Sequence, residues 1–474
     1  MGFLGMRLNI NFRPVQWSAG VVLCLCALFF VPVFLTAAHS ADKLPLAAGI
    51  LVNKAQAMAQ KGEINRAVQL LEAFKAKQAG AGEKEIRQKG YDHYFIYFLL
   101  GNWYSTLDQA ARAAENYKLS VKRLPGFSEA WLNLARVQYE TADFNGAAES
   151  FLKGYDTSEA PKAIYLYYAA VCRFQAGGIK KNALENALAI FKRIEIDHPD
   201  EMTLEWKETL VNIYFGLDRY SEALPYLEEL AEKSEGAKQK QWREVLLYQY
   251  LSLNMKKKAL SYARFLTRED TLEPKWWKAL CHIHLEDGRQ EKALSALLVY
   301  GYLTPMDEEE KMLAADLYMS LEVPGQASLL YEEILRNGPD KGERDTVVKL
   351  VNALTLIYDR DRSLAFIEKG LAISRDKRLL RIKARLLFED EAFEKAMAVY
   401  RELARIEKKP GQSLLMLGYC AMNLKQYNTA RESFLKAKAW KNQKKPARQM
   451  LKQIDAFLKE KEQARLKGAG EEQP

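Results

Sequence analysis

Short apolar stretches with helical spacing recur along the chain at a period of about 34 residues, and polar turns separate them. In most copies one small residue stands twelve positions before another. Gly101 and Ala113, Ala135 and Ala147, Cys281 and Ala293, Ala315 and Ala327, Ala384 and Ala396, and Gly418 and Ala430 are such pairs. A large apolar residue follows the second member by four: Tyr117, Phe151, Leu297, Tyr331, Tyr400, Phe434. Proline closes several units, at Pro125, Pro199, Pro305 and Pro339. Two helix backbones approach closely only where side chains are short, and a ring beside that contact fills the remaining gap. The pattern therefore predicts helical hairpins, each an A helix and a B helix joined by a tight turn. Asp143-Phe144-Asn145-Gly146 and Leu217-Asp218-Arg219-Tyr220 have the composition of such turns.

With these positions in place the chain resembles the tetratricopeptide repeat (TPR) family. Tyr97, Leu100, Gly101, Tyr104, Ala113, Tyr117 and Pro125 fit that family's repeat pattern. Trp131, Leu134, Ala135, Ala147 and Phe151 fit it in the next copy, and Trp277, Leu280, Cys281, Ala293, Leu297 and Pro305 in a later one. The resemblance implies an all-α TPR solenoid, a right-handed superhelix of about eleven hairpins with a C-terminal capping helix. Units are expected to start near residues 48, 94, 128, 163, 204, 240, 274, 308, 344, 377 and 411, several of them degenerate. Ala79-Gly80-Ala81-Gly82 reads as a loop.

Residues 1–41 differ in kind. Arg7 and Arg13 precede an apolar run over residues 18–38, with no acidic residue and no lysine, and Ala38-His39-Ser40 follows. This is the composition of an export signal. The run is also long enough to span a bilayer. A cleaved leader and a retained N-terminal anchor both satisfy it, and either delivers the repeats to the periplasm, soluble or tethered to the inner membrane by residues 18–38. The expected organisation is leader or anchor 1–41, repeat array 42–445, basic capping helix 446–467 and disordered tail 468–474.

The net charge of +9 is unevenly spread: from Lys436 onward there are eleven Lys/Arg and five Asp/Glu. Met450, Ile454, Phe457 and Leu458 form an apolar stripe within this segment, as a cap over the last hairpin requires. Cys172, Cys281 and Cys420 fall in different repeats and are expected to be buried, unpaired thiols.

No catalytic constellation is present. There is no phosphate-binding glycine loop or Gly-x-Ser-x-Gly elbow, and His282 and His284 point to different sides of a helix. No enzyme activity, metal or cofactor is expected. The expected chemistry is protein binding. In the resembled family the groove is read by A-helix residues, which here are Phe95, Phe98, Asn102, Leu132, Arg136, Tyr139, Tyr167, Val171 and Phe174. Rings supply contact area for an extended peptide, and Arg or Asn pairs with its backbone or carboxylates. Arg378, Arg381 and Arg385 share one helix face and form a basic groove patch suited to an acidic segment. The same aromatics also suit packing between neighbouring A helices, and the arginines suit ion pairs with Glu389 or Asp390.

These features predict an exported interaction scaffold that binds extended or acidic segments of envelope proteins, with no nucleic-acid partner. A membrane-surface contact is open to the N-terminal segment or the basic C-terminal helix. The overall pattern also resembles exported TPR proteins that accompany TonB–ExbB–ExbD-type systems, which implies inner-membrane, proton-driven partners. The alternatives are a glycan- or peptidoglycan-binding module and a membrane-anchored assembly factor.

Overall fold

A computed structural model describes residues 43–336 and 343–468. The leader or anchor at 1–41 and the tail beyond Gly468 lie outside the described residues, and so does Pro339. The described residues form 24 α-helices and three short 3-10 turns, with no strand among them.

Contacts divide the chain into two compact units, one ending at Met255 and the other beginning at Lys256. In the first, five hairpins follow in order: α1 (Leu46–Gln60) with α2 (Ile64–Ala76), α4 (Tyr94–Thr106) with α5 (Ala110–Arg123), α6 (Ser128–Glu140) with α7 (Phe144–Thr157), α8 (Ala163–Gly177) with α9 (Lys181–Asp197), and α10 (Leu204–Gly216) with α11 (Tyr220–Lys233). Short α3 (Glu83–Lys89) precedes the second hairpin, and α12 (Gly236–Ser252) ends the unit. Ala79-Gly80-Ala81-Gly82, expected as a loop, overlaps a 3-10 turn (Lys77–Gly80) and leads into α3.

The second unit opens with α13 (Lys256–Glu269). Its hairpins are α14 (Pro274–Glu286) with α15 (Gln290–Leu303), α16 (Glu308–Ser320) with α17 (Pro324–Arg336), α18 (Glu343–Leu356) with α19 (Arg360–Ile373), α20 (Lys377–Glu389) with α21 (Phe393–Ile406), and α22 (Gly411–Asn423) with α23 (Tyr427–Lys438). The last helix, α24 (Lys444–Gly468), packs on α23 through Ala447, Leu451 and Ile454, while Lys444, Lys445, Arg448 and Lys452 stay exposed.

The small-residue pairs do what their spacing predicts. Ala113, Ala147, Ala293, Ala327, Ala396 and Ala430 are fully buried, as are Tyr117, Phe151, Tyr331 and Phe434 beside them. At Gly101 and Gly418 a Cβ has no room. A Cβ on either would lie 2.6 Å from the ring of Tyr117 or Phe434. Those glycines let a full aromatic ring lie against helix A.

Apart from the α8–α9 turn, where Gly178 N donates to Phe174 O at 2.8 Å, the hairpin turns share one backbone device. Helix A ends in a left-handed residue, and the amide beyond it returns to a carbonyl in the helix's last turn, a Schellman closure that satisfies groups otherwise orphaned. Gln109 N donates to Tyr104 O at 2.8 Å, Met255 N to Tyr250 O at 2.8 Å, and Arg289 N to His284 O at 2.8 Å. Glycine fills the left-handed position at Gly62 and Gly288, whereas Asp108, Ala142, Asp218, Asn254, Glu322, Tyr358, Glu391 and Lys425 hold it with φ between 55° and 59°.

Candidate protein-binding surface

The A-helix residues expected to line a groove divide by burial. Phe98, Leu132, Tyr167 and Val171 are buried. Phe95, Asn102, Arg136, Tyr139 and Phe174 are half-buried. The buried members join one helix to the next. The Phe98 ring meets Phe127 edge-on at 4.8 Å, Leu132 fills the space above Gly154 on α7, and Tyr167 stacks on Trp206 of α10 at 4.8 Å. Aromatic side chains in this register reach the neighbouring A helix before they reach solvent, so the continuous aromatic groove is not presented.

The polar members are also engaged. Asn102 Oδ1 accepts from Tyr117 Oη at 2.7 Å and from Asn133 Nδ2 of α6 at 2.9 Å. Arg136 Nη2 donates to Ser105 Oγ at 3.1 Å, while its buried Nε has no partner. These bonds tie α4 to α6. Phe95 and Tyr139 are half-buried, and their rings lie against Phe98 and Phe144 at 6.1 Å and 5.5 Å.

The basic patch on α20 is exposed but neutralised. Arg378 donates to Asp376 and to Asp345 Oδ1, the latter at 2.6 Å. Arg381 Nε donates to Glu407 Oε1 at 2.7 Å, and Arg385 lies 3.8 Å from Glu389. Asp390 pairs instead with Arg360. Each of the three arginines thus has a carboxylate of its own chain beside it, which lowers its value to an incoming one.

Sequence reasoning missed the residues that carry these pairs. Asp376 is buried at 1 % exposure, caps α20 through the backbone N–H of Arg378, and accepts from Arg344 Nε at 2.6 Å. The Arg378 and Arg344 guanidiniums hold its carboxyl far below the usual range. Glu310, 2 % exposed, accepts from Lys278 Nζ at 2.5 Å and closes a capping box with Asp307. Both pairs link consecutive A helices at a separation of 32 residues. That separation, close to the repeat period, was the available signal.

A shallow cleft of about 390 Å³ lies between α5, α6 and α7, lined by Lys118, Trp131, Gln138 and Ser150 among others. Ser150 Oγ donates to Gln138 Oε1 at 2.6 Å, so its floor is already hydrogen-bonded. Cys172, Cys281 and Cys420 are free and buried, as expected. Among the described residues no helix is long and apolar enough to cross a membrane, and no group of His, Cys, Asp or Glu is placed to hold a metal ion.

The family model for the tetratricopeptide repeat matches residues 411–444, the hairpin of α22 and α23. No curated protein matches the sequence. Among solved structures the chain is similar to that of Naa15/Naa10 bound to HypK-THB, at 15% identity over 81% of this chain and 67% of that one, with a TM-score of 0.38. It is similar to yeast Tom70, at 12% identity over 90% and 99% with a TM-score of 0.31. A tetratricopeptide repeat protein from Parabacteroides merdae gives 13% identity over 56% and 98% with a TM-score of 0.28. The hairpins, their small-residue contacts and their recurring turn make this an all-α fold of TPR hairpins, one of which, residues 411–444, the tetratricopeptide repeat model itself matches.

Proposed function

We propose that the chain is a non-catalytic scaffold that binds other proteins and holds them in fixed geometry. One observation carries this reading. Hairpins and capping helices account for nearly all described residues from Leu46 to Gly468, so what the molecule offers is surface. The partners are extended or acidic segments, taken up by half-buried aromatic edges and by exposed cations.

The proposal includes export. Arg7 and Arg13, followed by the apolar run at 18–38, support delivery of the repeats across a membrane, after which the segment is cleaved or kept as a tether. In a bacterial envelope this means the periplasm. Association with a TonB-type energy-transducing system is the narrower form of the same proposal, and it rests on the resemblance of the overall repeat pattern.

Cross-linking in intact cells, read by mass spectrometry, tests the scaffold. Recovery of defined envelope proteins supports it, and recovery of proton-driven inner-membrane components supports the narrower form. Retention on purified peptidoglycan with no protein partner would replace it with a glycan-binding module. The mass of the mature N-terminus separates a cleaved leader from a retained anchor.

A further inference from the structure

The turn geometry makes Tyr104, Tyr250 and His284 equivalent, since each supplies the carbonyl that closes the turn at the end of its helix. Two of them pair with the preceding B helix. Tyr104 Oη donates to Glu72 at 3.0 Å, and Tyr250 Oη to Glu228 at 2.6 Å. Glu72 and Glu228 are each the ninth residue of their helices. The ninth residue of α13, which packs on α14, is Arg264. At this third place the charge is reversed, as it is at the ninth residues of α5 (Lys118) and α21 (Arg401), and here a buried histidine stands in for tyrosine.

The substitution leaves polar groups without their complement. His284 is 4 % exposed, and its buried Nδ1 has no hydrogen-bond partner. Arg264 on α13, Arg289 in the turn and Lys292 on α15 all lie close enough to act on the ring, with Asp287 opposing them. Burial first, and then these three cations, hold the imidazole below its ordinary pKa. The side chains of Arg264 and Lys292 make no hydrogen bond or ion pair among the described residues, and that of Arg289 has only a contact of 3.7 Å to Asp287. Arg268 and Lys257 continue the face at one and two turns' distance along α13 and are likewise unpaired. The exposed stripe from Lys257 to Arg268 runs about 16 Å along the helix. On α20, by contrast, every arginine of the row faces a carboxylate of its own chain.

We infer that Arg264, Arg289 and Lys292, set around His284, form a binding site for carboxylates of an acidic peptide segment, with Lys257 and Arg268 extending it along α13. A side-chain carboxylate placed there supplies the negative charge that Glu72 and Glu228 supply at the equivalent positions. Charge complementarity selects the partner, and the line of cations along one helix fits an extended chain with successive acidic residues. The inference deepens the scaffold reading and rests on it.

The test uses the full chain and a fluorescently labelled ten-residue glutamate peptide, followed by anisotropy at low and at physiological salt. Binding by the wild type, with a loss of at least tenfold in the double variant Arg264→Glu/Lys292→Glu, is expected. The double variant Lys395→Glu/Arg405→Glu has the same change in net charge on another hairpin and should retain affinity within about twofold. In parallel, the His284 ring resonance should titrate at higher pH once the peptide is bound, because a carboxylate favours the imidazolium. Equal loss in both double variants, or an unmoved His284 titration, overturns the site. Capture of anionic vesicles without peptide binding overturns it too. If cross-linking still recovers protein partners in that event, the scaffold reading stands and only this site falls.

Discussion

Tyr331 donates its hydroxyl to Asp316 Oδ1 at 2.6 Å, crossing from helix B to helix A of one hairpin, just as Tyr117 donates to Asn102 at 2.7 Å. Asp316 and Asn102 each follow the small residue of helix A by one position. The small residue admits the ring, and the next residue receives its hydroxyl. Tyr331→Phe should lower stability by about 1 kcal/mol, whereas Tyr331→Ala should cost about 3–5 kcal/mol by leaving a cavity. Chemical denaturation of both variants checks the split.

Gly101→Ala should destabilise by about 1–3 kcal/mol, since the added methyl meets the Tyr117 ring well inside contact distance. Pairing it with Tyr117→Leu should recover part of the loss. A double-mutant cycle with no coupling would show that the ring does not depend on that glycine.

Asp376 gives the second unit a pH dependence. Its folded-state pKa lies below the unfolded value of about 3.9. Its contribution is therefore complete above that value and fades as pH falls from there toward the folded value. Asp376→Asn should cost about 1–3 kcal/mol at neutral pH. It should then lose less stability than the wild type between about pH 5 and pH 2.5. Parallel urea titrations at the two pH values read this directly.

Arg381 and Arg385 sit on the same face but should behave differently. Glu407 is nearly buried, and it also accepts from Ser413 Oγ at 2.7 Å. Arg381→Glu would set a second carboxylate against it, and the melting temperature should fall. Arg385→Glu touches only an exposed pair at 3.8 Å and should stay within about 0.5 kcal/mol of the wild type. Thermal melts of the single variants settle the difference.

Burial pushes the thiols of Cys172, Cys281 and Cys420 up to about 12. Little thiolate forms at neutral pH, so alkylation of these three in the native protein should be slow. Peptide mapping after labelling, with and without denaturant, should find them modified only in the unfolded chain.

The hairpins were legible because their signal is steric and local. A small residue and a ring at fixed spacing leave one way to pack, and the expected start at 411 coincides with the first residue of α22. The surface was less legible because its outcome depends on what stands one repeat away. Phe98 and Tyr167 have groove register, yet Phe127 and Trp206 claim their faces. Arg378 looks available until Asp345, 33 residues upstream, is seen beside it. Aligning the repeats by their turns, rather than reading each helix alone, exposes the exchange of Glu72 and Glu228 for Arg264.

The left-handed corners carry a mechanical consequence. At Tyr358 a full side chain sits at φ 59° and remains 82 % exposed, where Gly62 and Gly288 meet the same demand without a Cβ. Each such corner is a small spring wound against the fold, worth roughly 1 kcal/mol. A glycine at such a corner meets the same φ without that cost, so Tyr358→Gly would release the strain while leaving the path of the chain unchanged.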